Sequence, residues 1–130
     1  MDEVDWAILE MLKNNARISN SSIGRALNIS EGTVRKRIKS LVDQGVIRKF
    51  TIVMKHEGVE AIVVLRLDPR KAKNIIGELE KKFEEIFEFS GRFDVAVRVR
   101  AKDLDSLNTT VDSLRAIDGV KGSDTLVRLH

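Results

Sequence analysis

The chain has no cysteine, no tyrosine and only two histidines, His56 and His130. Without thiols there can be no disulfide, no thiolate nucleophile and no thiolate zinc site. Two histidines far apart in sequence, with no Gly-rich phosphate loop after any apolar run, supply no recognisable set of acid, base and nucleophile. No enzyme, cofactor or metal site is expected, and His56 reads as a linker residue. Long apolar runs are missing as well: the longest, 61–65, is far too short to span a bilayer. The acidic opening (Asp2, Glu3, Asp5) has neither the basic nor the apolar region of a secretory signal. These absences predict a soluble cytoplasmic protein with no membrane partner. Its 130 residues, 42% hydrophobic and 33% charged, suit one ordinary domain or two very small ones rather than a disordered chain.

A net charge of +3 says little until it is located. Residues 1–56 hold 10 Lys/Arg against 6 Asp/Glu, while residues 57–130 hold 13 against 14. Between Arg17 and Lys49 the imbalance sharpens to 8 basic residues against 2 acidic ones, Glu31 and Asp43. Such a patch suits phosphates, although a basic run on a helix is more often just a solvated face, so its place on the fold has to decide.

The first half reads as three helices and a hairpin. Asp2 can cap a helix that buries Val4, Ile8, Leu9, Met11 and Leu12 and ends near Asn14 and Asn15. The Ser19, Asn20, Ser21, Ser22 cluster opens a second, short helix with Ile23, Ala26 and Leu27 toward the core, and Asn28 tolerates a left-handed turn. Ser30 then caps a third helix that buries Val34, Ile38, Leu41 and Val42 and stops at Gly45. Helices two and three make a helix-turn-helix. At 100° per residue, the face opposite the buried stripe carries Gly32, Thr33, Lys36, Lys39 and Ser40, with Arg35 and Arg37 on its flanks. The outward face is therefore the basic one, as a helix entering a DNA major groove requires. Residues 46–53, including Arg48 and Lys49, read as a strand that can serve as a wing beside it. The expected DNA-contact set is Ser30, Gly32, Thr33, Arg35, Lys36, Arg37, Lys39, Ser40, Arg48 and Lys49, and the partner double-stranded DNA.

The second half reads as two strand-helix-strand units. Residues 61–67 are apolar and β-branched on both faces, and Asp68 with Pro69 resembles an N-cap followed by a first helical residue. The helix that follows carries Ala72, Ile75, Ile76, Leu79 and Phe83 on one stripe, with Glu78 and Lys82 paired outside. Residues 86–89 form a short strand, residues 91–94 a turn, and residues 94–101 a strand with Val95, Val97 and Val99 on one face. A helix opened by Asp103 and striped by Leu104, Leu107, Val111, Leu114 and Ile117 ends at Gly119, and residues 120–129 close the unit as a strand. The order βαββαβ is the ferredoxin-like arrangement, with both helices on one sheet face. The fold class is thus α+β: a winged helix-turn-helix over 1–53, a linker over 54–60 and a ferredoxin-like unit over 61–130. Ile62, Val64 and Ala96 are out of phase with the core, which predicts that a second subunit covers the other face.

With these residues in place, the chain resembles the Lrp/AsnC (feast/famine) family of regulators. Asp2, Asp5, Ile8 and Leu9 resemble the family's opening helix, and Asn15, Ala16, Arg17 and Ile18 its approach to the second helix. Ile29, Ser30, Val34, Arg35, Arg37, Ile38, Leu41, Gly45, Val46, Ile47, Phe50 and Thr51 resemble its recognition helix and wing. Gly91, Arg92, Phe93 and Asp94 stand where the family carries a Gly-x-x-Asp turn at its effector site. Ser123 and Thr125 match positions where related proteins use hydroxyls from a neighbouring dimer. The resemblance implies a transcriptional regulator that dimerises, or forms an octameric ring, and binds a small effector, most often an amino acid. Backbone N–H groups of the turn suit a carboxylate and Asp94 an ammonium, while Asp124 is less usual there and points to a cationic ligand such as lysine or arginine. The chain departs from the pattern at Trp6, read as helix packing, and in its short connection, which favours the dimer over the octamer.

Two readings stand against this one. Gly91 can simply shape a hairpin and Asp94 satisfy its own backbone, with no ligand bound at all. The chain is then an architectural, chromatin-like DNA binder of low sequence specificity and no effector. A ferredoxin-like sheet that binds RNA would use aromatics on its central strands, and residues 95–99 contain none.

Overall fold

The computed structural model of the protein describes residues 1–55 and 57–130, which form two compact units, Met1–Met54 and Lys55–His130. His56 lies outside the described residues.

In the first unit, α1 (Glu3–Asn14), α2 (Asn20–Leu27) and α3 (Glu31–Asp43) each begin where a side chain satisfies the first free amides. Asp2 and Asp5 form a reciprocal capping box, Asp5 N–H donating to Asp2 Oδ1 at 2.9 Å and Asp2 N–H to Asp5 Oδ2 at 3.3 Å. Ser19 and Ser30 cap α2 and α3 through the N–H groups of Ser22 and Thr33. Asn28 ends α2 in the left-handed region (φ 56, ψ 46). Ile8, Leu12, Ile23 and Val34 make the core, with Val4, Met11, Ile18, Leu27, Ile29, Ile38 and Ile47 packed around it. Where α2 meets the turn, Gly24 leaves no room for a side chain: a Cβ there would sit 2.6 Å from Ile29 O.

Several expectations for this unit are corrected. Among the described residues, 46–53 form no strand, because no strand of the sheet pairs with them, and Phe50, Ile52, Val53 and Met54 stand exposed. β-propensity without a partner strand does not make a strand. Ala26 and Val42 point outward, and Trp6 is 58% exposed rather than packed, since α1 buries the stripe of Ile8 and Leu12 instead.

In the second unit, β1 (Val59–Leu67), α4 (Ala72–Lys82), β2 (Ile86–Glu88), β3 (Val95–Ala101), α5 (Leu104–Arg115) and β4 (Val120–Val127) form a four-stranded antiparallel sheet ordered β2-β3-β1-β4. Odd-numbered β1 and β3 residues (Ala61, Val63, Leu65, Leu67; Val95, Val97, Val99) meet Ile75 and Leu79 of α4 and Leu107, Val111 and Leu114 of α5 in one core. Asp103 caps α5 through Ser106 N–H. Asp68 does not cap α4. Its carboxylate accepts from Arg70 N–H at 3.0 Å in a tight turn, and the helix starts at Ala72. On α4, Glu78 pairs with Lys81 at 3.3 Å rather than with Lys82. Leu104, in the first turn of α5, is exposed.

The register also lays out the sheet's other, open face in rows. Arg66 and Gly122 lie at one end, beside the turn that fastens Asp94 to β1. Phe87, Ala96, Val64 and Asp124 come next, then Glu85, Arg98, Ile62 and Leu126, and Arg100, Glu60 and Arg128 close the far end. Glu60 is buried at 3% exposure and held by arginines: Arg98 Nε at 2.8 Å, Arg128 Nη1 at 3.5 Å and Arg100 Nε at 3.6 Å. Among the described residues, no helix is long and apolar enough to cross a membrane.

Candidate DNA-binding and ligand-binding surfaces

The outward face of α3 is built by helix phase alone: Val34 and Leu41 are buried, so Glu31, Arg35, Lys36, Lys39 and Ser40 are left in solvent. Lys36 and Arg48 are exposed and make no ion pair among the described residues. Arg35 is held by Glu31 at 2.7 Å and Lys39 by Asp43 at 2.7 Å, the latter hydrogen bond raising the lysine's pKa. Both are solvent-exposed i,i+4 pairs of the kind that contributes little, so their cations can exchange onto phosphates at small cost. Ser30 Oγ is occupied by the cap and by Thr33 Oγ1 at 2.7 Å, and Ser40 Oγ accepts from Gln44 Nε2. Gly32 and Thr33 are half-buried at the start of the helix, and Lys49 is exposed.

Arg37 is the exception on this helix. Its Nη1 donates to Asp2 Oδ2 at 2.6 Å and to Asp5 Oδ1 at 3.2 Å, tying α3 to the capping box of α1. That hydrogen bond holds the Asp2 carboxyl below the usual carboxylate range and raises Arg37 in turn. The structure therefore gives Arg37 an internal partner in place of a place on the outward face. Reading charge along one helix could not reveal this, because its partners lie more than thirty residues away.

Residues from α2 escaped the sequence reading. Ser21, Gly24, Arg25 and Asn28 line a shallow depression of about 490 Å³ closed by Ile29, Ser30 and Glu31. Its mouth lies beside the start of α3, where free backbone amides favour anions. Arg25 was legible only as part of the overall charge.

At the second surface, Gly91 and Arg92 are exposed and Phe93 and Asp94 half-buried. Gly91 takes φ +152, which a side chain would strain. Asp94 is fastened to the neighbouring strand. Its N–H donates to Leu65 O at 2.9 Å and its Oδ2 accepts from Leu67 N–H at 2.7 Å, leaving Oδ1 without a described partner. The register places Ser123 and Thr125 opposite Leu65 and Val63, on the helix side of β4, and Asp124 opposite Val64, on the open face. The three do not form one cluster, because alternate residues of a strand point to opposite faces.

Residues 1–48 match the family model for a winged helix-turn-helix DNA-binding domain, and residues 60–130 match that for an Lrp/AsnC ligand-binding domain. The HTH-type transcriptional regulator LysM of Saccharolobus solfataricus is 38% identical over 134 residues, covering 100% of this chain and 94% of that protein. Two solved structures share the fold. Escherichia coli AsnC has a TM-score of 0.81 at 21% identity, covering 100% of this chain and 93% of that one. The Neisseria meningitidis regulator NMB0573, solved as an L-Met complex, has a TM-score of 0.83 at 21% identity, covering 100% and 90%. With a DNA-binding helix pair in the first unit and the ligand-binding domain in the second, the chain belongs to the Lrp/AsnC family of DNA-binding transcriptional regulators.

Proposed function

We propose that the protein is a sequence-specific regulator whose affinity for double-stranded DNA, or whose oligomeric state, responds to a small effector held by the second unit. The observation that carries the DNA half is the outward face of α3, where Lys36 is exposed with no ion pair among the described residues and Arg35 and Lys39 are held by exchangeable pairs. Ser30, Gly32, Thr33 and Ser40 bring the backbone close to phosphates, Arg48 and Lys49 reach the flanking backbone, and Arg25 adds a contact from α2. Arg37 acts by fixing α3 against α1.

The effector is an amino acid. Support comes from the turn of Gly91, Arg92, Phe93 and Asp94, where Asp94 Oδ1 remains to accept from an ammonium, and from the fold shared with a regulator solved with L-Met. Asp124 and Ser123 with Thr125 sit on opposite faces of β4, so a ligand at the turn meets one or the other. Lysine and arginine stay in the set to be tried first, because Asp124 on the open face favours a cationic ligand wherever a partner's cation does not occupy it. A second copy of the chain covers the open face, whose half-buried Ile62 and Val64 and exposed Phe87 and Leu126 are apolar surface without a partner in one chain.

The architectural reading keeps one observation in its favour: Asp94 already has a structural task at Leu67 N–H. Thermal unfolding of the protein with each of the twenty amino acids at millimolar concentration separates the two. A rise in the midpoint for a defined subset, lost in Asp94→Asn, supports the sensor; no rise with any of them refutes it.

A further inference from the structure

We propose that Arg66 and Asp124 form reciprocal ion pairs across a two-fold contact between two copies of this chain, and that these pairs set the register in which the open faces meet. The proposal rests on the reading that a second copy covers that face.

Most of the charge on the open face is already satisfied within one chain. Arg98 is bound by Glu60 at 2.8 Å and by Glu85 at 2.6 Å, and Glu60 also holds Arg100 and Arg128. Asp94 accepts from a backbone amide. Of the charged residues that the register rows place there, Arg66 and Asp124 alone have no ion pair or hydrogen bond from their side chains among the described residues, and both are exposed. They are nonetheless close. Val64 pairs with Asp124 and Arg66 with Gly122, which makes Arg66 and Asp124 diagonal neighbours on adjacent strands, a spacing that a long side chain can bridge. The guanidinium turns instead over Gly122, where a Cβ would lie 3.0 Å from Nη2. The missing side chain leaves room for that pose.

A positive and a negative group that stand side by side, each unpaired, make a self-complementary patch. In a two-fold contact residue i meets residue j and j meets i, so Arg66 reaches Asp124 of the partner subunit and Asp124 reaches Arg66 of the partner subunit. The apolar residues between the two charged ends, Ile62, Val64, Phe87 and Leu126, supply contact area without choosing a register, since a slide along them costs little. Paired charges at one end do choose, and their stronger effect is to reject a wrong partner or register by bringing like charges together.

The test is the dimer dissociation constant of the full chain by analytical ultracentrifugation. Arg66→Asp places two acidic groups at each contact and Asp124→Arg two basic ones, so each single reversal is expected to raise the dissociation constant roughly a hundredfold. An equimolar mixture of the two variants restores dimerisation, because each contact then joins opposite charges, and the double reversal Arg66→Asp with Asp124→Arg dimerises with itself. Folded single reversals that dimerise like the wild type, or a mixture that fails to recover, would overturn the pairing. Should a reversal fail to fold, Arg66→Gln and Asp124→Asn serve in its place. Losses that are not additive in the double variant support the pair, and strictly additive losses overturn it. A wild-type chain that is monomeric throughout refutes the second-copy reading itself, which is a different result from a wild-type dimer indifferent to these charges.

Discussion

Replacing Gly24 by alanine sets two effects of opposite sign against each other. Alanine in place of glycine inside a helix is worth about 1 kcal/mol in favour of folding. Here, though, the added methyl would stand 2.6 Å from Ile29 O and 3.5 Å from Glu31 N, and both neighbours are backbone rather than the end of a flexible side chain. Ile29 N–H also donates to Gly24 O at 2.9 Å, so the turn cannot back away without losing that bond. Overpacking of this kind costs about 1–3 kcal/mol, and with rigid backbone on the far side the upper half of that range applies. The expected net is a loss of about 1–2 kcal/mol from the first unit. Because the turn carries Ser30 into its cap, the start of α3 moves as well, and DNA affinity should fall further than the lost stability explains. Urea unfolding followed by far-UV circular dichroism and by Trp6, the sole tryptophan and a reporter in α1, measures the first quantity; a DNA titration at low denaturant measures the second. A Gly24→Ala variant as stable as the wild type, or more so, would refute the close contact.

Three further outcomes follow from the same geometry. Lys36→Ala should weaken binding to every sequence and lower the slope of log affinity against log salt by about 0.9, read from titrations at several salt concentrations; an unchanged slope takes Lys36 off the DNA. Arg37 holds the Asp2 carboxyl in its charged form, so folding gains stability above the ordinary carboxylate pKa and loses it as pH falls through the lower folded value. The acid limb of the first unit's unfolding should accordingly flatten in Arg37→Met, measured below about pH 5, and an identical pH profile would refute the clamp. Asp94→Ala leaves Leu67 N–H without its acceptor and should cost the second unit about 1–3 kcal/mol in urea unfolding; a neutral result would deny the fastening role.

The helix starts were legible because each depends on one side chain near its own amides. Asp2, Ser30 and Asp103 cap as the sequence suggests, and within the cluster of residues 19–22 it is Ser19 that caps α2. The apolar alternation of β1 and β3 and the two helical stripes placed the core of the second unit for the same local reason. What failed depends on distant chain. Residues 46–53 have the composition of a strand, but among the described residues no strand pairs with them, and Asp68 closes a turn on Arg70 because Pro69 and the return to Gly119 O suit that geometry. Arg37 looked like part of the basic face until Asp2 and Asp5 came into contact with it. Glu60 gave no signal at all, since its arginines come from β3 and from the residue just after β4 and are brought to it only by register. Likewise Ser123, Asp124 and Thr125 are adjacent in sequence, yet the pleat divides them between two faces.

The most direct test of the central claim is a fluorescence anisotropy titration of the protein on labelled DNA from upstream of its own gene, against scrambled competitor, with and without a pool of the twenty amino acids. The account predicts a preference for the native sequence of about a thousandfold or more, and a shift in affinity when the pool is added, which fractionating the pool then assigns to one ligand. Salt-sensitive binding that shows neither preference nor shift, on this probe and on sites selected across the genome, would contradict it and leave an architectural protein.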